Sequence, residues 1–560
     1  MNIRANKYLL LFSSLATLLL LMVAAYQENV AREWRRLQRS YRSQLASPQA
    51  EDFQIQLRQV YAPNLHATDR CITCHVGMAP GESGIKGHRV FTNHPDVGHD
   101  PLQYGCVVCH GGQGRATDTA DAHGTAPHWP SPMLPKRYSY AGCGACHTHL
   151  AVPNLDLVAR GRGLFERYDC LACHGLDGRG GTLRPGGAQG LTAPDLSRSG
   201  AAGFKRDWYQ HHLAERGKAT ASPWQASFGD ISPEDQRALN EFLSSRTGAP
   251  GLVEAKALFH TLGCRGCHKI GGVGGDDGPD LTREGEKDPA RLDYTHVPGD
   301  KTFANWLGEH FKNPAQIVAG SQMPMLGLSQ DKIDSMILYL LSLRRSDFPE
   351  AYWPKDRIRA DRFGEREFAT DGATLYGAFC DACHGARGQG MRYPGVAAFP
   401  AIGNPDFLAI ASDRFIAASI QYGRPGRRMP GWGEKEGGLR PAEIAAVVAH
   451  VRSFGNGVPS PVETEARRWV KGDAQAGAHL FAANCAGCHG SAGEGKEGSQ
   501  LRNQMLLRNA SDRYLIETVR RGRHGTSMAS FAQPAVSHRH LSDTEIESIV
   551  TFIRTWEVPQ

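Results

Sequence analysis

Every cysteine in the chain belongs to one repeated string, C-x-x-C-H. The seven copies are Cys71/Cys74/His75, Cys106/Cys109/His110, Cys143/Cys146/His147, Cys170/Cys173/His174, Cys264/Cys267/His268, Cys380/Cys383/His384 and Cys485/Cys488/His489. A disulfide framework or a set of zinc knuckles also pairs cysteines, but neither asks for histidine at the very next position. With 24 histidines in 560 residues, histidine after all seven pairs has a chance probability of roughly 0.04 to the seventh power. The string is therefore read as a covalent attachment site for c-type haem. Two thiols add to the haem vinyl groups, and the adjacent imidazole reaches the iron as proximal ligand. Seven covalently bound haems are expected.

The N-terminus carries the second constraint. Residues 8–26, within "KYLLLFSSLATLLLLMVAAYQ", hold no charge; as a helix they span roughly 30 Å, the thickness of a bilayer core. A signal peptide has an apolar core of only about 7–15 residues, so the run is read as an uncleaved single-pass anchor. Arg32, Arg35, Arg36, Arg39 and Arg42 after the run outweigh Arg4 and Lys7 before it, which by the positive-inside rule argues for the opposite orientation. Haem attachment is an extracytoplasmic event, so the haem strings decide: the cytoplasmic (inner) membrane, with residues 28–560 periplasmic. The net charge of +6 is mild and points away from nucleic acid. Two propionates on each of seven haems would turn it to about −8.

At about 100–200 residues per domain the length suggests three to five domains. Four C-terminal stretches follow one plan. Each opens on a short helix before its cysteines, "GRGLFERYDCLACHG", "AKALFHTLGCRGCHK", "GATLYGAFCDACHG" and "GAHLFAANCAGCHG". Each closes on a helix announced by a cap or a proline, "ISPEDQRALNEFL", "LSQDKIDSMILYL", "LRPAEIAAVVAHV" and "LSDTEIESIVTFI". Gly- and Pro-rich loops such as "TAPDLS" and "DGPDLT" lie between. This plan resembles the class I cytochrome c fold, in four copies over about residues 156–560. The resemblance implies a mainly α protein, with cytochrome c domains at 156–249, 250–345, 365–460 and 466–560 and a linker at 346–364.

Residues 61–150 differ: three strings and 10 of the 24 histidines sit in this stretch, with little helical periodicity. The string "FTNHPDVGHDPLQYGCVVCHGGQGRATDTADAHG" and the "HWPSPMLPKRYSYAGCGACH" after it resemble the trihaem head of membrane-anchored multihaem cytochromes that accompany bacterial cytochrome b-type quinol oxidoreductases. The chain then divides into an anchor at 1–28, a juxtamembrane helical segment at 29–65 and a loop-rich trihaem module at 66–155.

The sixth iron ligand separates an electron carrier from an open, reactive haem. Class I domains usually supply a methionine just before the last helix. Met323 in "SQMPML", with Met325 as fallback, Met429 in "RRMPGW" and Met528 in "GTSMAS" stand there; core packing is the plainer role of any methionine. The trihaem region has only Met78 and Met133 but seven histidines beyond its proximal ones, which favours bis-histidine ligation and lower potentials. The candidates are His94, His99, His123 and His128, followed by His66, His88 and His149. The first class I domain is the odd one. Aligned with the second it sets Trp208 against Trp306, His212 against His310 and Ser222 against Met323, and no methionine occurs between Met133 and Met323. His211 or His212 turns in, another segment supplies the ligand, or the iron stays open; His211 is preferred, because His212 has a counterpart in a domain that owns a methionine.

The expected function is electron transfer. The resemblance implies the cytochrome c subunit of a quinol:cytochrome c oxidoreductase, passing electrons from a membrane quinol-oxidising complex toward periplasmic acceptors. Its partners would be a cytochrome b-type membrane subunit, with or without an iron–sulfur protein, and a soluble cytochrome c or terminal oxidase as acceptor. Two alternatives stay open: a haem enzyme reducing a small molecule at Cys170/Cys173/His174, and a free-standing conduit to an extracellular acceptor.

Overall fold

The computed structural model describes residues 3–126, 129–148, 150–180, 193–202, 211, 231–344, 347–394, 396, 398–536 and 538–559. It is mainly helical. Among these residues the only strands are two short antiparallel pairs, Val60–Ala62 with Ala67–Asp69 and Gly175–Leu176 with Arg179–Gly180.

The uncharged N-terminal run lies in the helix Ile3–Asn29, which buries none of its residues and is long and apolar enough to cross a membrane. The next helix, Glu33–Arg42, is amphipathic and buries Trp34, Gln38 and Tyr41, spaced four and three apart. Gln38 Nε2 donates to the carbonyls of Gln56 and Thr73, both at 2.8 Å, and the Tyr41 hydroxyl donates to Ser83 O at 2.7 Å. Thr73 lies inside the first C-x-x-C-H string, so this helix holds that string at the foot of the anchor.

Each of the four repeated stretches closes by crossing its first helix over its last: Leu155–Arg167 over Pro233–Ser244, Pro250–Thr261 over Gln330–Ser342, Gly372–Phe379 over Pro441–Ser453, and Ala474–Asn484 over Asp543–Arg554. Three crossings are tight enough to need glycine. A Cβ on Gly161, Gly372 or Gly477 would lie 2.1, 2.1 or 2.0 Å from the carbonyl oxygen of Ala238, Ala446 or Ser548. Four residues further on, Phe165, Tyr376 and Phe481 are buried, as is Phe259 in the second stretch. Asn154, Ser232, Asp371, Asp473 and Ser542 cap their helices by accepting first-turn N–H groups.

The units join unequally. The first has a core of its own around Val158, Phe165, Leu239 and Phe242. The second continues into the three-string region, where Leu134, Tyr138, Ala141 and Leu150 share a core with Phe259, Ile333 and Leu340. There the Tyr138 hydroxyl donates to Asp334 at 2.9 Å, and a Cβ on Gly144 would lie 1.9 Å from Ser342 O. The third and fourth units share one core, with the rings of Phe415 and Tyr514 4.4 Å apart. The segment 346–364 contains the helix Lys355–Phe363, which buries no residue. Ahead of that helix, Phe348 and Tyr352 pack against Leu65, Tyr104 and Val107.

Candidate haem centres

None of the fourteen cysteines pairs with another in a disulfide, and thirteen of them are partly buried. Burial pushes Cys74, Cys143, Cys146 and Cys170 up to about 11, and Cys264, Cys380 and Cys485 up to about 12. These seven remain thiols at neutral pH. The strings form tight turns, as in Cys71–Cys74, Cys106–His110 and Cys264–Gly266.

Exposure is not equal among the strings. Cys488 differs from the other thirteen in being exposed. It stands in the one-turn helix Ala486–His489, and the loop that follows reaches its backbone rather than its side chain: Lys496 N and Gly498 N donate to Cys488 O at 3.2 and 2.9 Å. Cys173, partly buried, lies just past the turn Cys170–Ala172 as its C-terminal cap. Its N–H donates to Cys170 O at 3.3 Å, and its carbonyl accepts from Ala193 N at 3.2 Å. Residues 181–192, which join Cys173 to that contact in sequence, lie outside the described residues. In both strings the first cysteine is the more firmly seated: Cys170 and Cys485 each pack against a hydrophobic core.

In five of the seven strings the closing histidine is oriented by the backbone. In the four C-terminal units Nδ1 of His174, His268 and His384 meets the carbonyl of Pro194, Pro279 and Pro400 at 2.9 Å, and that of His489 meets Ser499 O at 2.8 Å. His75 makes the same contact with Val90 O at 3.2 Å. With Nδ1 as the donor, Nε2 keeps its lone pair for iron. Glycine lets the covering loop come close: a Cβ on Gly278 would lie 2.5 Å from the His268 ring. Burial lowers the imidazoles of His75, His110, His147, His268 and His384, favouring the neutral form that binds metal. Free paired thiols on a tight turn and a backbone-oriented neutral imidazole fit a covalently attached haem.

Two of the four leading distal histidines of the three-string region come to face a proximal one. The rings of His75 and His123 have centroids 6.4 Å apart and planes 31° apart; those of His94 and His110 are at 6.1 Å and 67°. Two metal–imidazole bonds of about 2 Å, plus the half-width of each ring, require a separation of about 6 Å. His99 is the histidine whose charge bears on His147. His128 and His149 lie outside the described residues.

In the C-terminal units, Met429 and Met528 occupy equivalent loops. Arg424 N donates to Met429 O and Arg523 N to Met528 O, both at 2.8 Å. The guanidinium of Arg424 donates to Ser419 Oγ and that of Arg523 to Thr518 Oγ1, at 2.7 and 3.0 Å. Both methionines pack on the shared core. The signal was available as G-R-x-G-x-x-M, present at 423–429 and 522–528. Met323 packs half-buried on the second unit's core, whereas Met325 is 61% exposed. His211 is exposed, and its neighbours His212 and Ser222 lie outside the described residues.

Some successive strings lie side by side. A Cβ on Gly263 would lie 2.9 Å from the Cβ of Ala382, inside the next string, and the neighbouring cysteine Cys71 or Cys267, then burial, raises Cys106 and Cys383. A Cβ on Gly142 would lie 1.9 Å from Cys109 O, so the second and third strings abut as well. At the joint of the second and third units Glu367 accepts from Arg265 at 2.7 Å and from Lys256 at 2.6 Å. Lys256 also donates to Leu150 O at 2.6 Å. Arg265, between the two cysteines of its string, also donates to Ile270 O and Val273 O at 2.6 and 2.8 Å. Sequence patterning gave no hint of this cluster.

Residues 158–247, 252–344 and 369–455 each match the family model described as cytochrome c, and residues 472–553 match that of the cbb3-type cytochrome c oxidase subunit III. A cbb3-type cytochrome c oxidase subunit FixP of Bradyrhizobium sp. (strain ORS 278) is 32% identical over 33% of this chain and 59% of its own length. The cytochrome bc1 complex cytochrome c subunit of Corynebacterium diphtheriae is 24% identical over 37% of this chain and 72% of its own. The chain spans a little over half the length of the FixP relatives it matches first. A chain of the Kuenenia stuttgartiensis reducing HAO-like protein complex is 19% identical, over 33% of this chain and 96% of its own, with a TM-score of 0.23.

Proposed function

We propose, from the premise that this chain is a multihaem cytochrome c anchored in a membrane, that it carries seven haems and relays electrons from a membrane quinol-oxidising complex to periplasmic acceptors. All fourteen cysteines serve as attachment thiols in this reading, Cys173 and Cys488 included. The haems supply reversible one-electron chemistry when bound. The chain attaches, orients and spaces them. The observation that carries the reading is the close approach of neighbouring attachment strings: a Cβ on Gly142 would lie 1.9 Å from Cys109 O, and one on Gly263 2.9 Å from the Cβ of Ala382. Only neighbouring redox groups exchange electrons rapidly, and these approaches bring adjacent strings together.

The direction follows from ligand chemistry and position. His123, His94 and His99 are the distal ligands of the strings at 71–75, 106–110 and 143–147, and Met323, Met429 and Met528 serve the second, third and fourth C-terminal domains. Bis-histidine haems lie at lower potential than His/Met ones, because methionine raises the potential. The helix Glu33–Arg42 seats the bis-histidine module beside the membrane helix, with Glu33 accepting from Thr119 N and Oγ1 at 2.9 and 2.7 Å. Electrons thus enter next to the membrane and leave through the outer domains. A cytochrome b-type subunit, with or without an iron–sulfur protein, is the donor; a soluble cytochrome c or a terminal oxidase is the acceptor.

The test is purification of the full chain from its native membrane in mild detergent, followed by haem quantitation and a redox titration monitored by electron paramagnetic resonance. Seven haems per chain, low-potential bis-histidine signals and co-purification with a cytochrome b-type subunit support the proposal. A lower haem count refutes the relay as drawn, and isolation with oxidase subunits alone refutes the quinol-side donor.

A further inference from the structure

Arginines crowd the end of the membrane helix. Residues 28–42 hold Arg32, Arg35, Arg36, Arg39 and Arg42 against Glu28 and Glu33, and both carboxylates are engaged: Glu28 pairs with Arg32, and Glu33 accepts from Thr119. The helix Glu33–Arg42 divides its residues by face. Trp34, Gln38 and Tyr41 are buried, whereas Arg36, Arg39 and Arg42 are exposed and, spaced three apart, line up on the side turned away from them. Arg42 Nε donates to Ala50 O at 2.7 Å. No hydrogen bond, ion pair or ring contact holds the Arg36 guanidinium among the described residues.

The membrane helix fixes the depth of this face. Val30 N donates to Tyr26 O at 2.9 Å, so the hydrogen bonding of that helix carries on through residue 30. Arg39 Nη2 lies 3.4 Å from Val30 O; the helix Glu33–Arg42 therefore folds back beside the end of the anchor instead of leading away from it. Tyr26 closes the uncharged run and is 61% exposed. Four residues at a rise of about 1.5 Å each put Val30 about 6 Å beyond it. That is the depth of the headgroup layer, which adds about 5–7 Å on each side of the hydrocarbon core. We propose that Arg36 and Arg39 bind the phosphate of anionic phospholipid in the leaflet at the Asn29 end of the anchor. Two guanidinium groups one turn apart on an exposed face offer the planar, paired N–H donors that phosphate accepts, and basic segments beside a membrane helix attract anionic lipid. Arginines that oppose the positive-inside pattern thereby gain a partner in the lipid on their own side. The site needs only the membrane helix and stands apart from the path of the electrons.

The experiment titrates the full-length holoprotein, stripped of lipid in neutral detergent, with phosphatidylglycerol or phosphatidylcholine and counts bound lipid by native mass spectrometry. The unmodified chain should prefer phosphatidylglycerol. Arg36→Gln should weaken that binding about fivefold and Arg36→Gln with Arg39→Gln about 25-fold, with phosphatidylcholine binding unchanged. Arg36 is exposed and holds no bond among the described residues, so its variant probes the lipid without loosening the helix. Equal binding of the two lipids, or a preference that survives in the double variant, overturns the proposal. Displacement of the lipid by inorganic phosphate at matched concentration overturns it in favour of a free-anion site. Loss of a co-purifying subunit in the double variant, with lipid binding intact, overturns it in favour of an acidic partner surface. Recovery of the full chain without detergent would overturn the anchor itself, so the two failures are distinguishable.

Discussion

Glu367→Gln removes the carboxylate from a buried cluster of two cations. In the native protein Glu367 bonds Arg265 and Lys256, whose side chains are 1% and 5% exposed. His260, 4% exposed, is held well below its ordinary value by burial and then by Arg265, so it adds no charge. The cluster carries one net positive charge, and the variant would bury two. Breaking a buried pair by removing one partner costs about 3–5 kcal/mol. If the second and third domains unfold as one unit of about 150–250 residues, each kcal/mol moves the midpoint by about 2–4 °C, so the transition should fall by about 6–20 °C. Calorimetry of the holoprotein measures this; the chain has several domains, so that one transition is followed rather than a global midpoint. Burial alone would raise the Glu367 carboxyl, but Lys256 and Arg265 overrule it and hold the group far below the usual carboxylate range. Its stabilisation is therefore complete above the unfolded-state value of about 4.3 and is lost as pH falls toward the folded value. Glu367→Gln should abolish that acid-side loss. A midpoint shift under about 2 °C would refute the reasoning, and so would an unchanged acid limb.

Met429→Ala and Met528→Ala should each convert one low-spin haem to high spin without loss of covalent haem, visible in the optical spectrum; unchanged spectra would return both residues to core packing. Gly477→Ala places a methyl group 2.0 Å from Ser548 O, and the helices must part at a cost of about 1–3 kcal/mol; thermal unfolding of the fourth domain reads it. The same change at Gly163, which has open space around its Cβ position, should gain about 0.5–1 kcal/mol of helix stability. Tyr138→Phe removes the bond to Asp334 and should weaken the docking of the trihaem region on the second domain by about 0.5–1.5 kcal/mol, detectable as faster proteolysis between residues 129 and 148.

The repeated plan was legible because it is written in residue types: C-x-x-C-H, the leucine–aromatic pair ahead of it and the capped last helix all recur at fixed spacing. The same repetition hid the differences among the strings. Cys488 is exposed and its partner Cys485 is not, a contrast set by how the following loop runs rather than by the motif. The histidine contacts of the three-string region were legible only as a shortlist. His94 and His123 meet His110 and His75 across loops with no periodicity, and loop paths are set by tertiary packing. The carbonyls of Pro194, Pro279 and Pro400 were unreadable for a plainer reason: they are backbone atoms, and residue identity hardly marks them. Glu367 was missed because a single charge beside Arg366 and Glu365 reads as a solvated loop. The helix Lys355–Phe363 lies within a segment read as a linker, and with no buried residue it has no apolar stripe to announce it.

The common core of the last two domains has a consequence for biogenesis. A chain synthesised from its N-terminus folds its early domains first, and the first domain, with a core of its own, can close as soon as its last helix emerges. The third cannot. Leu408, Phe415 and Ile416 belong to one apolar cluster with Leu507, Leu515 and Ile516, residues that appear about a hundred positions later. Until then its surface stays uncovered, and a polypeptide truncated near residue 460 would expose that face to chaperones and proteases.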